Sequence, residues 1–321
     1  MVQDHVFETW IQQDLLYTDL GSVIQFMNNF PAAGIFMLTM GFTSGYTEVP
    51  SRKLFRRGIK VFFWGLLLNV GLNLHYFIRI LSGRVEGNIL DSLFAVDIFY
   101  LAGLSLIVLA FIKVLSNSYI VSLISAITVA LLSPFITELL TSSSGGDYIL
   151  AFVGKPCDNS FFPIFPWLSY SLAGYGFSQV LKKYPAIIKR TGWHYVALVV
   201  LFGSSSVGFI LNWNDLGDLA TYYHHGIKVF GWIVSLGLGL TMFLNLFQFI
   251  QRGTFSAWIM FIGSKLTRFY IVQWLIIGNL ASFFFQELNL TMYIMGSLLV
   301  LALTTIIIYL LRDLKLRKDH A

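Results

Sequence analysis

The residues of this 321-residue chain best suited to chemistry are a histidine beside an acid, a histidine pair and a knot of cations. Asp4 stands next to His5 in MVQDHVFETW, and His224 stands next to His225 in TYYHHG. Imidazole titrates near neutral pH, so such a side chain can take a proton from a hydroxyl or an amine, or carry an acyl group itself. A carboxylate from Asp4, or from Asp97 in FAVDIFY, can orient the ring. Arg52, Lys53, Arg56 and Arg57 crowd into SRKLFRRG, and Arg268 follows in SKLTRFY. Guanidinium forks match phosphate oxygens. The same cations equally serve as the ordinary charge that fixes loops on one side of a membrane. Asn28 and Asn29 in NNFPAAG and Gln273 in YIVQWLIIG are amides in apolar surroundings, and Trp167 follows two prolines in FFPIFPW. These four are the candidates for substrate contact. For the amides the plainer role is helix–helix hydrogen bonding, worth ~0.6 kcal/mol on average.

The segments that must position these groups are greasy. Hydrophobic residues make up 56% of the chain, charged residues 12% and aromatics 17%, with a mean hydropathy of +0.73. A soluble protein carries about 25% charged residues, so lipid is the main solvent here. Roughly 20 apolar residues cross a bilayer as a helix. Nine stretches qualify: 22–45, 58–79, 91–112, 118–139, 161–181, 193–212, 227–250, 256–284 and 291–311. Such lengths rule out barrel strands. Connections are short, no linker divides the chain and no internal repeat is visible. The sequence predicts an all-α polytopic membrane bundle of nine to ten transmembrane helices, a single domain over residues 1–321.

Charge then orients the bundle. Assigned to alternate sides, the loops collect seventeen of the 21 basic residues on one side, which the positive-inside rule makes cytoplasmic. The C-terminus is therefore expected inside, and His5, His75, His224 and His225 at or near the outer face. Nine spans leave the N-terminus outside, so a further helix is expected upstream of this sequence. The net charge of +5 reflects those cationic loops, not a nucleic-acid partner. One cysteine, Cys157, excludes an intramolecular disulfide and a cysteine-based metal site, and no metal is expected.

Five stretches in order carry a resemblance. FFPIFPWLSYSLAGYGFS is similar to the Pro-Trp-Gly helix of the heparan-alpha-glucosaminide N-acetyltransferase-like family and its bacterial members. RRGIKVFFWGLLLN resembles that family's arginine-led helix, through Arg57, Gly65 and Asn69. FPAAGIFMLTMGF matches the preceding helix through Pro31 and Gly41, and VDIFYLAGLSLIVLAF the following one through Asp97 and Gly103. IGSKLTRFYIVQWLIIG resembles the late helix through Gly263, Tyr270 and Trp274. The resemblance implies a membrane-bound acyltransferase in a bacterial-type cytoplasmic membrane. Such an enzyme takes an acetyl or other short acyl group from cytoplasmic acetyl-CoA and delivers it to an extracytoplasmic saccharide or glycolipid. It also implies a catalytic histidine near the outer end of the first or second helix, where His5 stands. Two features depart from the family. Gln273 occupies the place of the late helix's usual histidine, and the usual first helix with its Asp-x-x-Arg-Gly start is not in this sequence. A transporter or flippase using the same polar residues, or a non-catalytic membrane partner, stays open on the residues alone.

Overall fold

Inside a bilayer the backbone has no water to pair with, so apolar stretches of this length close their hydrogen bonds internally as helices. The computed structural model describes residues 2–116, 118–142, 145–157, 159–186, 196, 226–250 and 253–319. Among the described residues there are thirteen named helices and no named strand, with isolated bridges at Ile11–Leu288 and Val96–Ser160. In chain order the helices are α1 (Val2–Trp10), α2 (Gln13–Leu16), α3 (Asp19–Tyr46), α4 (Ser51–Leu81), α5 (Ile89–Leu93), α6 (Ile98–Leu115) and α7 (Tyr119–Thr141). They continue as α8 (Asp147–Val153), α9 (Ile164–Lys183), α10 (Gly226–Ile250), α11 (Thr254–Ser264), α12 (Leu266–Phe284) and α13 (Leu290–Asp319).

Four of these are long and apolar enough to cross a membrane: α4, α6, α7 and the Leu290–Leu311 part of α13. Their outward faces are apolar. On α4, Phe63, Leu67, Leu74 and Ile78 are all exposed, while Leu54, Gly58, Gly65, Leu68 and Asn69 are buried. A helix that turns leucine and phenylalanine outward and glycine inward is built for lipid. Two expected spans differ. The stretch 256–284 is broken at Lys265 into α11 and α12, because a cation there ends one apolar run and begins the next. The stretch 91–112 is helical as one long run only from Ile98, since Asp97 caps α6. The expected span 193–212 lies outside the described residues, apart from residue 196.

The chain divides into two compact units, residues 1–30 with 247–321, and residues 31–246. In the second unit α4 packs along α6 and α7 along α9. Glycine sets the closest approaches. A Cβ at Gly41 would strike the Ser171 carbonyl of α9, and one at Gly174 would strike the Leu38 carbonyl of α3. On the other pair, a Cβ at Gly103 would lie 2.7 Å from the Phe62 nitrogen. In the first unit, Val6, Phe7, Trp10 and Ile11 form a core with Ile277, Leu288, Tyr293 and Val300. That core decides where the N-terminal helix sits.

Candidate functional site

Helix α1 is tied to the late helices by backbone as well as side chains. The Leu288 amide donates to the Trp10 carbonyl at 2.8 Å, the Gln12 amide to the Leu288 carbonyl at 3.0 Å, and the Gln286 amide to the Thr9 carbonyl at 3.2 Å. The Trp10 indole donates to the Ile277 carbonyl at 3.2 Å. These bonds fix the end of α1 at the turn between α12 and α13 and run the rest of it along α12. His5 is thereby laid on α12. Its ring lies 3.9 Å from that of Trp274, tilted 39°, and 5.7 Å from that of Tyr270, edge-on at 83°. Tyr270, Gln273 and Trp274 share one helix face by their three- and four-residue spacing.

The polar atoms of this patch are buried without partners among the described residues. They are Asp4 Oδ1, both ring nitrogens of His5, both amide atoms of Gln273 and the indole nitrogen of Trp274. Gln273 is wholly enclosed, and Asp4 and His5 are each only 8% exposed. An unpaired buried polar group costs about 1–3 kcal/mol, and native proteins keep few of them. Six in one patch, without partners among the described residues, make a polar niche suited to a substrate group or water.

Depth follows from helix geometry. Trp274 and Tyr270 precede the α12 C-cap at Phe285 by three to four turns, roughly 16–22 Å at 1.5 Å per residue. The turn that follows holds Gln286 and Glu287, in the loop expected outside. His5, packed against Trp274, therefore stands about three turns along α12 from that turn. Trp10, not His5, is the residue of α1 that reaches the turn.

The other candidates fall elsewhere. Asp97 is the N-cap of α6, its carboxylate accepting from the Ile98 amide at 2.6 Å. Asn69 holds the approach to that cap, donating to the carbonyls of Leu93 at 3.1 Å and Ala95 at 3.0 Å. Trp167 is fully enclosed, with the Phe162 ring at 5.2 Å and the Tyr170 ring at 5.7 Å, so it packs the core of the second unit. Arg52, Lys53, Arg56 and Arg57 are exposed on the first two turns of α4. Cations are disfavoured at a helix N-terminus, so the reason for this cluster lies outside the helix. Arg268 is exposed in the first turn of α12. Asn28 and Asn29 lie on α3 with side chains outside the described ones, and His224 and His225 lie outside the described residues. Among the described residues no three histidine, cysteine or acidic groups are placed to hold a metal.

Sequence reasoning singled out His5 and Gln273 but missed the aromatic wall that holds the histidine. The signal was present, since Tyr270 and Trp274 bracket Gln273 at one-turn spacing.

The family model for the catalytic region of heparan-alpha-glucosaminide N-acetyltransferase matches residues 1–212. The chain belongs to this family. It is accordingly an enzyme of the membrane acetyltransferase type. The match includes Asp4, His5, the α4 cations, Asp97 and Trp167, and ends before α10. Searches among curated proteins and among solved structures gave no match. The aromatic wall and Gln273 lie beyond the matched stretch, so their part in the family's chemistry is argued from geometry alone.

Proposed function

We propose that this protein moves a short acyl group, acetyl first, from cytoplasmic acyl-CoA to a hydroxyl or amine of an extracytoplasmic saccharide or glycolipid, with His5 at the centre. The observation that carries the proposal is the buried His5 imidazole, neither nitrogen paired among the described residues, about halfway along the helices that hold it. A donor held on one side of the bilayer and an acceptor on the other meet only at such a depth.

The electrons balance by either of two routes. In direct transfer the acceptor's oxygen or nitrogen attacks the thioester carbonyl, the C–S bond breaks, and His5 takes the acceptor's proton and passes it to the CoA thiolate. In the covalent route a neutral His5 nitrogen attacks the thioester carbonyl, the C–S bond breaks and the CoA thiolate leaves. The acceptor then attacks the acyl-imidazole, the N–C bond breaks, and the acceptor's proton passes by way of the ring to the thiolate. Either way the ring becomes transiently cationic. The Trp274 ring face beside it favours that charge. Asp4, next in sequence, supplies the opposite charge. The exposed cations of α4 suit the phosphates of CoA, and Arg268 is a separate cationic candidate on α12. The excess of basic residues in alternate loops supports a cytoplasmic C-terminus in a bundle of nine to ten spans. Asn28 and Asn29 remain acceptor-side candidates, and His224 and His225 are rivals for the base.

The test is transfer from radiolabelled acetyl-CoA to the saccharide-lipid fraction of the host membrane, by purified protein in detergent. His5→Ala should lose transfer by about a hundred- to ten-thousand-fold while calorimetric CoA binding persists. Full transfer in His5→Ala together with loss in His224→Ala moves the base to the later histidine. If neither substitution matters, acyl transfer through histidine is refuted and a transport role takes its place.

A further inference from the structure

We infer that Gln273 is the acceptor-holding residue of this site, and that it holds an uncharged group which donates and accepts hydrogen bonds at once, such as a sugar hydroxyl or an N-acyl amide. The inference rests on reading His5 as the reacting group and goes on to name the chemistry of what meets it.

Gln273 is completely enclosed, and neither its amide nitrogen nor its amide oxygen has a partner among the described residues. It shares its helix face with Tyr270 and Trp274, the two rings against which His5 lies. A carboxamide is two donors and an acceptor in one plane. An ammonium only donates, so it would pair the oxygen and leave the nitrogen orphaned. A carboxylate only accepts and would do the reverse. A hydroxyl or an amide answers both atoms together. The adjacent Trp274 indole nitrogen, also unpaired, adds one more donor. Trp274 and Tyr270 give the niche aromatic walls, and the nearest cation on α12, Arg268, is exposed. An anionic acceptor group thus finds no buried counter-charge on this face. A site built to pair such groups rejects acceptors that lack them, because its own amide is then left unsatisfied.

The experiment uses the full chain in detergent with labelled acetyl-CoA and three soluble probes: N-acetylglucosamine, glucosamine held as its ammonium at pH 6, and glucuronate. Two rates are followed, transfer to the sugar and hydrolysis, in which water is the acceptor. Wild type should accept or be inhibited by N-acetylglucosamine at concentrations at least tenfold below those needed for the charged sugars. Gln273→Met, of similar length and without the amide, should raise the N-acetylglucosamine constant by tenfold or more and erase its preference over the charged sugars. Gln273→Asn keeps the polarity and shortens the reach. It should fall between the two, and it decides the matter should Gln273→Met fail to fold. Equal constants for all three sugars in wild type overturn the stated class. Unchanged constants in both variants overturn the role of Gln273. In either case, loss of hydrolysis and transfer in His5→Ala leaves the acyltransferase reading standing, whereas an active His5→Ala removes the ground on which this inference rests.

Discussion

Asp4 is a carboxylate that the fold buries, with one oxygen unpaired among the described residues. Insertion scales put an aspartate at the centre of a membrane helix at about 2.5–3.5 kcal/mol unfavourable. Such a residue persists where it serves the reaction, since functional sites are where proteins retain groups that cost stability. Asp4→Asn should therefore raise stability by about 1–3 kcal/mol and slow acyl transfer. Thermal unfolding in detergent beside the transfer assay checks both signs. A variant that melts as wild type and turns over as wild type would show an idle, hydrated carboxylate. His5 carries the same tension. Its nitrogens have no partner among the described residues, yet Trp274 and Tyr270 hold its ring, so it is positioned without being quenched.

Between elements, backbone contact decides. The α3–α9 crossing brings Gly41 against the Ser171 carbonyl and Gly174 against the Leu38 carbonyl, with no room for a Cβ. Gly174→Ala should therefore destabilise by about 1–3 kcal/mol through overpacking. Gly231 on α10 has nothing within 4 Å of its would-be Cβ. Gly231→Ala should be neutral or stabilising, because alanine favours helix by up to about 1 kcal/mol over glycine. Equal melting of the two variants would remove the packing argument. The helices themselves were legible in the sequence because lipid permits so few alternatives, and the α7 span differs from the expected 118–139 by only a residue or two at each end. What escaped was local. The apolar run before Asp97 reads as membrane helix, yet Asn69 and the Asp97 cap hold it as a short helix and a turn. The late stretch averages to a span, while Lys265 splits it. His5 and Gln273 were legible as residue types out of place. Their sharing of one patch was not, since they lie at opposite ends of the chain and only the packing of α1 on α12 brings them together.

At the scale of the whole molecule the cations and the lone thiol make the orientation testable. Cys157 is exposed in the loop between α8 and α9, a loop expected outside. A membrane-impermeant maleimide should label it on intact cells. In a Cys157→Ser background, Lys60→Cys should be labelled only after permeabilisation. The opposite pattern would invert the topology. On the proposed topology the donor's phosphates lie on Lys60's side of the bilayer. Replacing Arg56 and Arg57 together with glutamine should weaken CoA binding about tenfold, as expected for lost charge-assisted hydrogen bonds. Added salt should weaken wild-type binding in the same direction. Calorimetry showing equal affinity would return the α4 cluster to a purely topogenic role.

The bonds from Thr9, Trp10 and Gln12 to the Gln286–Leu288 turn also set a timetable. A ribosome delivers α1 well before α12 and α13, and chains begin to fold from the N-terminus as they emerge. Through most of synthesis α1 lacks its partners on α12 and α13, Ile277, Tyr293 and Val300 among them, and His5 has no aromatic wall. The imidazole meets its clamp only once the final helices are inserted. On the proposed reading of His5 as the reacting group, reactivity is withheld from the nascent chain until the site is complete.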